Sequence, residues 1–522
     1  MKRVCVIGLD GANWELISPW LNSGDLPNLS LIKENGVSGV LKSQYPPVTF
    51  PNWKCYSTGK NPGKLGVFWF ELFDRERNTI TFPNAKSFHS AELWDYLNIK
   101  GIKTGIINMP TTFPPRRING FMIAGGPLCA DTSYTYPPTL ENYLVEKFRY
   151  TRGLKHSIDV SKKSCEGVAE ALRLIKLRFD VALDLWEKYS EINFLHITIF
   201  FLNVLQHHFY RDEPVFKAWK IIDKYIGEFI KKNITVFLVS DHGCGKVEHI
   251  FYINTWLEKE GYLKTRLPVS RSIFNTIGID RRKLSIFTEK IGIKKMLKMF
   301  TPDSIRKIVP KEDGRYKNKE ELIDWENTVS FGSGQGIIYL TLARQHDEYY
   351  SIREKIKSKL ARLQIPNTSK YVAKNIYNGE EVYKAENMDD IPDIVFEQNE
   401  FLHTNGDIGN KVVFGVPKRW QAENITDGFF GAIGKDLKEG YCISDCNIVD
   451  VAPTLLYFFD VDIPEDMDGK VRKDIFKESS LYFRKKVSYQ KPISVDNIID
   501  TTNESPDEEK MRNQLRRLGY IE

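Results

Sequence analysis

The sequence lacks the long apolar runs that mark an exported or membrane-spanning protein. The run that opens the chain, within "MKRVCVIGLD", is interrupted by Asp10 after six residues, too few for a signal peptide. The longer stretch "INFLHITIFFLNVL" contains His196 and Asn203 and is shorter than the roughly 20 residues that a spanning helix needs. We therefore expect a cytoplasmic protein that does not cross a membrane and that lies at most peripherally on its surface.

Cysteines are few and show no metal-binding spacing. The chain has seven among 522 residues, with no CxxC pair. The one close pair, Cys442 and Cys446, lacks partners at the spacing of a zinc finger. We interpret the cysteines as reduced thiols, most of them buried. Internal repeats and low-complexity segments are also missing, which argues against a repeat architecture.

The net charge of the chain is small, but positive charge is concentrated in one segment. The formal net charge is only +6, yet residues 264–318 hold fifteen Lys or Arg against five Asp or Glu. Such a segment is most often a solvated helical surface. Because apolar residues are interleaved with the cations, two alternatives stay open: a lid over an anionic substrate, or a contact with an anionic membrane surface. Nucleic acid is a weaker candidate partner.

The patterns that are present are those of an α/β protein. Hydrophobic residues make up 42% of the chain and charged residues 27%, as in ordinary globular proteins. Residues 3–10, 101–110, 192–201 and 234–241 are β-branched or aromatic runs bounded by Gly or charged residues, which is typical of buried strands. Helical patterns alternate with them. The alternation predicts a mainly parallel central sheet with helices on both faces.

Shifts in composition divide the chain into four segments. We predict a first part of the core at residues 1–262, followed by a basic helical insertion or lid at 263–327. The second part of the core is predicted at 328–475, and a charged C-terminal tail at 476–522. The tail is poor in apolar pattern, so we expect it on the surface.

Three polar residues stand at or just past the ends of predicted strands: Asp10, Asn203 and Asp241. Ligands of open α/β sheets bind outside the carboxyl ends of the strands, so these side chains are expected to converge on one site. Asp241 and His242, in "VSDHGCG", are residue types that bind zinc or manganese. Commoner alternatives exist, since either aspartate could cap a following helix and His242 could be an ordinary hydrogen-bonded histidine.

The stretch "PPVTFPNW", residues 46–53, places Thr49 just before a predicted helix. Pro51 lies in the first turn and Gly59 near the end, so residues 50–58 are predicted to be helical with Thr49 as the N-cap. The same position suits a nucleophile, because free N–H groups at a helix N-terminus can hold an anionic phosphoryl oxygen. A metal ion bound to the hydroxyl would supply the missing nucleophilicity.

Asn203 and His207, in "NVLQHHFY", are four residues apart, which places both side chains on one face of a helix. An acidic residue at position 203 would complete a two-ligand pair, but the amide of Asn203 carries no charge. The neighbouring His208 points elsewhere on that helix and is interpreted as a surface or packing residue.

Six motifs together resemble the alkaline phosphatase superfamily, and most closely its type I phosphodiesterase/nucleotide pyrophosphatase branch. In chain order they are "GLDGANW", "PPVTFPNWKCYSTGKNPGKLGVFWF", "NMPTTFPPRRINGFMIAGG", "NVLQHHFY", "VSDHGCGKVEHIFYINTWLEKEGYL" and "VDVAPTLLYFFDVDIPEDMDGKV". They extend over about residues 3–475, so that only the basic insertion and the tail lie outside the resemblance.

The resemblance implies two metal ions, usually zinc, bridged by the substrate phosphate, and a Thr or Ser nucleophile that forms a covalent phospho-enzyme. Carried over by motif, the nucleophile is Thr49. One ion would be held by Asp10, Asp241, His242 and the hydroxyl of Thr49, and all four residue types are present.

In such proteins the second ion is held by an Asp and a His of a "DxxxH" helix and by a later His shortly before an Asp-Gly pair. The corresponding residues here are Asn203, His207 and Asn424. Amide oxygens bring no charge, and zinc sites favour Cys, His and carboxylate, so we expect one well-bound ion and a weak or absent second one. Three other residues are candidates to replace the missing ligands: His249, His403 and Asp407.

These features predict a metal-dependent phosphohydrolase or phosphotransferase that acts on phosphodiester or phosphate ester bonds through Thr49. The expected ion is Zn²⁺, with Mn²⁺ or Mg²⁺ as alternatives. The expected substrate is a phosphorylated small molecule, or a lipid or glycan phosphoester. The alternative is a catalytically degenerate protein that binds a phosphorylated ligand or partner without turning it over.

Overall fold

The structure is a computed structural model, and parts of the chain lie outside what it describes. The described residues are 2–88, 90–126, 129, 131–158, 165–266, 319–385 and 388–494. Most of the predicted basic insertion, residues 267–318, and residues 495–522 of the predicted tail lie outside them. The roles predicted for these two segments therefore stay predictions.

Strands and helices alternate along the first half of the chain. The strands are β1 (Val4–Leu9), β2 (Val37–Lys42), β3 (Leu72–Asp74), β4 (Thr79–Thr81), β5 (Thr104–Pro110), β6 (Gly120–Gly125), β7 (Thr135–Tyr136), β8 (Phe194–Ile199), β9 (Thr235–Val239), β10 (Gly243–Tyr252), β11 (Ser330–Gly332), β12 (Ile337–Leu340), β13 (Ala373–Asn378), β14 (Ile394–Gln398), β15 (Phe401–Asn405), β16 (Phe414–Gly415), β17 (Ala422–Ile425), β18 (Asp427–Ile433), β19 (Tyr441–Asn447), β20 (Ile463–Pro464) and β21 (Tyr489–Gln490). The α-helices are α1 (Trp14–Asn22), α2 (Pro27–Asn35), α3 (Thr49–Thr58), α4 (Pro62–Leu65), α5 (Leu93–Ile99), α6 (Thr139–Phe148), α7 (Glu166–Lys188), α8 (Phe201–Phe209), α9 (Glu213–Lys231), α10 (Ile253–Lys259), α11 (Lys319–Leu322), α12 (Tyr349–Ala361), α13 (Gly379–Val382), α14 (Val451–Phe458) and α15 (Leu481–Arg484).

A nine-stranded sheet forms the centre of the fold, in the order β19-β2-β18-β9-β1-β8-β5-β6-β7. Five of its eight neighbouring pairs are parallel, including the pairs that β1 makes with β8 and β9. The other three pairs are antiparallel. The prediction of a mainly parallel sheet is confirmed, and the four strands predicted from buried runs are β1, β5, β8 and β9.

Helices cover both faces of the sheet. Side chains of a strand alternate between the two faces, and in β1 the residues Val4 and Val6 pack into one hydrophobic core while Cys5 and Ile7 pack into the other. Helices α7, α8 and α9 contribute to the core of Cys5, whereas α3, α5 and α14 contribute to that of Val4. Within the described residues, no helix has the combination of length and apolar character that crossing a bilayer requires.

A smaller part of the fold is built mainly from residues beyond β9. It contains a four-stranded sheet of order β11-β12-β14-β13 and a second one in which β10 pairs with β15, β16 and β17. Their apolar side chains form a core separate from the two cores of the central sheet. Strand β10 begins directly after His242, so this smaller part is joined to the central sheet close to the predicted site.

The segment from residue 476 to residue 494 differs from the surface tail that we predicted. Tyr482, in α15, is buried against Phe458, with ring centroids 4.9 Å apart. The hydroxyl of Tyr457 donates to the carbonyl oxygens of Tyr482 and Lys485, and β21 pairs with β20. A few well-spaced aromatic residues are enough to fix a segment whose composition is otherwise charged.

Helix α3, which carries Thr49 as its first residue, is anchored by buried ion pairs. Lys54 Nζ donates to Glu92 Oε1 at 2.7 Å, and Arg116 donates to Glu92 Oε2 at 3.0 Å. Arg116 also pairs with Asp95. Because each buried charge has a partner of opposite sign, the network holds α3 in one position relative to the sheet.

Candidate active site and metal centre

The carboxyl ends of β1 and β9 bring two aspartates together. Asp10 follows β1, Asp241 follows β9, and both side chains are fully buried. The chain turns at Gly11, whose φ of 70° lies in the left-handed region that glycine adopts readily. There the N–H of Gly11 donates to Asp241 Oδ1 at 3.2 Å. The backbone of one strand end thereby orients the carboxylate of the other.

Thr49 reaches the same place from helix α3. Val48, with an extended backbone, is the N-cap residue of this helix, and Thr49 is its first helical residue. The Thr49 side chain is fully buried, and its Oγ1 lies 3.3 Å from His242 Nε2. The hydroxyl therefore faces the histidine, and the two aspartates lie beside the same imidazole nitrogen.

His242 directs Nε2 at this group of oxygens. Its Nδ1 lies 2.9 Å from the carbonyl oxygen of Gly243, which can only accept, so Nδ1 carries a proton. Nε2 is therefore the nitrogen that becomes available to a metal ion when it gives up its own proton. It is 3.1 Å from Asp241 Oδ2, 3.3 Å from Thr49 Oγ1 and 3.8 Å from Asp10 Oδ1. Ligands about 2.0–2.1 Å from a tetrahedral zinc ion are about 3.3 Å apart, so these distances suit ligands of one ion.

The electrostatics of the group also fit a cation. Burial and the charge of Asp241 together raise the pKa of Asp10 well above its usual value. Burial lowers the pKa of His242, but the two carboxylates outweigh it and raise that pKa to about 9. Asp10 Oδ1 and Asp241 Oδ2 are both buried and lie beside His242 Nε2. One imidazolium balances only one of two adjacent buried carboxylates, whereas a divalent ion would balance both.

Asp10, Asp241 and His242 are the one such group in the described part of the chain. They are the only three His, Cys, Asp or Glu residues there whose ligand atoms all lie within 4.8 Å of one another. The chemistry of the set, two carboxylates and an imidazole with a hydroxyl beside them, suits a divalent metal ion.

The helix-cap alternatives for Asp10, Asp241 and Thr49 do not hold. The N-cap residue of α1 is Asn13 and not Asp10, while Asp241 is followed by strand β10 rather than by a helix. Thr49 is also not an N-cap residue, since the helix that we predicted at 50–58 begins one residue earlier. Instead of capping a helix, Asp10, Asp241 and Thr49 each place a side-chain oxygen within 3.8 Å of His242 Nε2.

The predicted second-ion residues Asn203 and His207 lie one turn apart on α8, and both are buried. His207 Nδ1 donates to the carbonyl oxygen of Ala422 at 2.8 Å, and its ring is stacked on Trp420 with centroids 3.8 Å apart. Burial lowers the pKa of His207 to about 3, which keeps the imidazole neutral and able to act as a ligand.

Asn424 also lies near the site. It is on β17, opposite Cys244 of β10 and therefore two residues beyond His242 in register. Its backbone N–H donates to Glu423 Oε1 at 2.8 Å, and its side-chain Oδ1 is buried without a hydrogen-bond partner in the described residues. Strand β17, which carries Asn424, packs against α8, which carries Asn203 and His207.

None of the three candidate replacement ligands completes a second group of three in the described residues. His403 is paired with Glu423, and although burial would raise the pKa of Glu423, this pair and neighbouring groups lower it to about 2. His249 lies on β10 opposite Leu402. Asp407 has a buried Oδ2 with no hydrogen-bond partner in the described residues. His208, as a packing residue, is buried and donates from Nδ1 to the carbonyl oxygen of Arg419.

Trp53 is a further residue of the site, which the sequence motifs did not single out. Its Nε1 donates to Asp10 Oδ2 at 2.9 Å, and its side chain is fully buried. The residue stands one helical turn after Thr49 in the motif that drew attention to Thr49. That spacing was the available signal, because residues four apart on a helix share a face.

Solved structures of similar fold belong to one superfamily. Murine ectonucleotide pyrophosphatase/phosphodiesterase 5 matches with a TM-score of 0.51 and 12% identity over 91% of this chain and 100% of that one. A phosphonoacetate hydrolase from Sinorhizobium meliloti 1021 matches with a TM-score of 0.54 and 13% identity over 86% and 94%. A mutant of the alkaline phosphatase PafA matches with a TM-score of 0.56 and 12% identity over 91% and 100%. The fold is that of the alkaline phosphatase superfamily.

The sequence match identifies one family within this superfamily. The model of the type I phosphodiesterase/nucleotide pyrophosphatase family matches residues 4–424. The chain belongs to this family, as its motifs predicted, and is a hydrolase of phosphoester bonds. No curated protein gives a significant sequence match.

Proposed function

We propose that this hydrolase acts on a phosphodiester or phosphate ester with Thr49 as its nucleophile and a single tightly bound divalent ion. Asp10, Asp241, His242 and the hydroxyl of Thr49 would hold the ion. The observation that carries the proposal is the position of His242 Nε2, which lies 3.3 Å from the hydroxyl and 3.1 Å from Asp241 Oδ2 in a buried site. The imidazole alone can balance only one of the two buried carboxylates beside it, so a divalent ion would complete the charge balance.

Zn²⁺ is the proposed ion, with Mn²⁺ or Mg²⁺ as alternatives. When bound, the ion supplies positive charge that favours the deprotonated hydroxyl and offsets negative charge on the phosphoryl group. Asp10 and Asp241 contribute two negative charges to its binding, and His242 contributes a neutral nitrogen. This donor set favours zinc, whereas Mg²⁺ prefers oxygen ligands and retained waters.

Thr49 performs the first half of the proposed reaction. Its Oγ1 forms a bond to phosphorus while the bond from phosphorus to the leaving oxygen breaks. The hydroxyl proton passes to solvent and the leaving oxygen takes up a proton. The N–H groups of Thr49 and Phe50, in the first turn of α3, precede any helical acceptor and can hold a phosphoryl oxygen. The products of this step are Thr49 that carries the phosphoryl group, with the remaining ester substituent when the substrate is a diester, and a free alcohol, or a free phosphate when the substrate is a pyrophosphate.

The second half of the reaction depends on the second-ion site of Asn203, His207 and Asn424, which we call the depleted site because two of its three ligands are uncharged amides. A water molecule must attack phosphorus so that the bond to Thr49 Oγ1 breaks and the hydroxyl is restored. Asn203 and Asn424 carry no charge that could help to bind a second cation beside His207. We therefore propose that breakdown of the phosphorylated enzyme is the slower half of the reaction. A slow attack by water would allow another acceptor to take the phosphoryl group from Thr49 instead.

The first substrates to test are nucleotide phosphoesters. The family's name covers phosphodiesters and nucleotide pyrophosphates, and an inactive form of murine ectonucleotide pyrophosphatase/phosphodiesterase 5 was solved in complex with AMP. Lipid and glycan phosphoesters are the second class. Both present the same phosphoryl group to Thr49 and differ only in the leaving group.

Purified protein is expected to hydrolyse at least one phosphoester in a metal-dependent way. The screen uses bis-p-nitrophenyl phosphate, p-nitrophenyl phosphate and nucleotide pyrophosphates, each with Zn²⁺, Mn²⁺ or Mg²⁺. Because the ion supplies the positive charge of the site, EDTA should abolish turnover and added metal should restore it. Activity that survives complete metal removal would argue against the proposal. Binding of these compounds without turnover under every metal would favour the degenerate binding protein instead.

Restoring the two missing ligands is expected to recruit a second ion. The Asn203→Asp/Asn424→His protein regains an aspartate and a histidine beside His207, a three-ligand set that suits zinc. Metal analysis after dialysis should give two ions per chain instead of one. Adding His207→Ala to this variant should return the count to one. A count that stays at one in the double variant would show that these positions do not form a metal site.

A further inference from the structure

The Asp10 carboxylate is held from two sides by residues of other elements. Trp53 Nε1, from α3, donates to Asp10 Oδ2 at 2.9 Å. Asn203, from α8, forms a side-chain hydrogen bond with the same carboxylate. The other oxygen, Oδ1, lies 3.8 Å from His242 Nε2. Asp10 can thus offer one oxygen to an ion, because the other is engaged by the indole.

The two glycines beside Asp10 make room for these two side chains. A Cβ atom on Gly8 would lie 2.5 Å from the ring of Trp53, and a Cβ atom on Gly11 would lie 2.2 Å from Asn203 Oδ1. Both distances are far shorter than a carbon contact allows. Glycine at positions 8 and 11 therefore leaves space beside Asp10 for the indole of Trp53 and the amide of Asn203.

Both donors are themselves fixed. The Trp53 ring contacts Tyr56 and His196, with centroids 5.7 and 5.8 Å apart. Next to Asn203 on α8, Gln206 Nε2 donates to the carbonyl oxygen of Gly11 at 2.8 Å, which ties the helix to the turn after β1. Asn203 and Trp53 are completely buried. Neither side chain can turn away from Asp10 without disturbing packed neighbours.

We propose that Asn203 and Trp53 are positioning residues for the proposed single-ion centre, which hold Asp10 so that Oδ1 faces His242 and Thr49. This inference rests on the proposed function. It gives Asn203 a role of its own: the residue that replaces a second-ion ligand has become a hydrogen-bond donor to a first-ion ligand. An aspartate at position 203 could not donate in this way, since an ionised carboxylate only accepts hydrogen bonds.

The test is the affinity of the full-length, metal-free protein for Zn²⁺, measured by competition with a chromophoric chelator. Partners that orient a metal ligand typically contribute 10- to 100-fold to metal affinity. Trp53→Phe, which keeps a ring but loses the N–H, and Asn203→Ala are each expected to weaken Zn²⁺ binding by about tenfold or more. Excess Zn²⁺ should restore kcat in both variants with little change in KM.

The matched control is Trp94→Phe. Trp94 is also fully buried, lies on α5, which carries none of the proposed ion ligands, and its Nε1 has no hydrogen-bond partner in the described residues. This variant should bind Zn²⁺ like the wild type, and thermal unfolding of the metal-free proteins shows whether the three variants are equally folded.

The possible failures can be told apart. Wild-type affinity in both Trp53→Phe and Asn203→Ala would overturn the positioning role while leaving the ion site intact. A wild-type protein that binds no Zn²⁺, Mn²⁺ or Mg²⁺ would overturn the proposed function and this inference with it. Weakened binding in Trp94→Phe as well would assign the effect to general loss of packing and would overturn the inference.

Discussion

A Thr49→Ala protein is expected to lose turnover of every phosphoester that the wild type hydrolyses, by at least about a thousandfold. The substitution removes the hydroxyl that faces His242 Nε2 at 3.3 Å and that lies at the N-terminus of α3. Asp10, Asp241 and His242 are untouched, so the variant should still bind one ion. The measurements are initial rates on the best substrate of the screen and the metal content of the same sample.

Thr49→Ser is the matched control for this result. Serine keeps the hydroxyl and loses only a methyl group, so its activity should remain far above that of the alanine variant. The serine protein, and not the alanine protein, should also form a covalent phosphorylated intermediate detectable by intact mass after rapid acid quenching. Turnover of Thr49→Ala at the wild-type rate would eliminate Thr49 as the nucleophile.

An Asp241→Asn protein is expected to lose the ion, with Zn²⁺ affinity lower by more than about a hundredfold. This exceeds the 10- to 100-fold that is typical for a residue which merely orients a ligand. The amide keeps the size of the side chain and removes one of the two buried charges that attract the cation. Turnover should fall to the level of the EDTA-treated wild type. Isothermal titration with Zn²⁺ and the rate assay give the two values.

The same substitution is expected to stabilise the metal-free protein. Without an ion, the charge of Asp241 acts against that of Asp10 in a fully buried site, and it helps to raise the pKa of Asp10. Because a protonated His242 can balance only one of the two buried carboxylates, removing the other negative charge should return about 1–3 kcal/mol. Saturating Zn²⁺ should raise the unfolding temperature of the wild type and leave the variant unchanged. If the metal-free variant melted below the metal-free wild type, the proposed electrostatic conflict would be wrong.

Much of the fold could be predicted because its signals are local. The runs that became β1, β5, β8 and β9 are apolar and β-branched, and they pair in a parallel sheet whose carboxyl ends meet. Asp10 and Asp241 are adjacent in space since β1 and β9 are neighbours. Their convergence follows from topology and needed no knowledge of side-chain contacts.

The hydrogen bonds around Asp10 could not be predicted in the same way. The contact from Trp53 depends on how α3 is rotated above the sheet, and that rotation is set by distant partners such as Glu92. The contact from Asn203 depends on the close approach of α8 to Gly11. Neither leaves a periodic pattern in the sequence, because each is a single contact between elements far apart in the chain.

The environment of the depleted site was also beyond sequence reasoning. The stacking of His207 on Trp420 and the pairing of Glu423 with His403 join residues from α8, β15 and β17 and the loop before β17. Loops and short strands of this kind carry weak propensity signals. The same limit applies to residues 476–494, whose charged composition did not indicate that Tyr482 is buried.

The most direct test of the single-ion centre is anomalous diffraction at the zinc edge from a crystal of the zinc-loaded protein. We predict one strong peak, within bonding distance of Asp10 Oδ1, Thr49 Oγ1, Asp241 Oδ2 and His242 Nε2. No peak of comparable height should lie between Asn203, His207 and Asn424. A map without density at the first position, or with two equal peaks, would contradict the account.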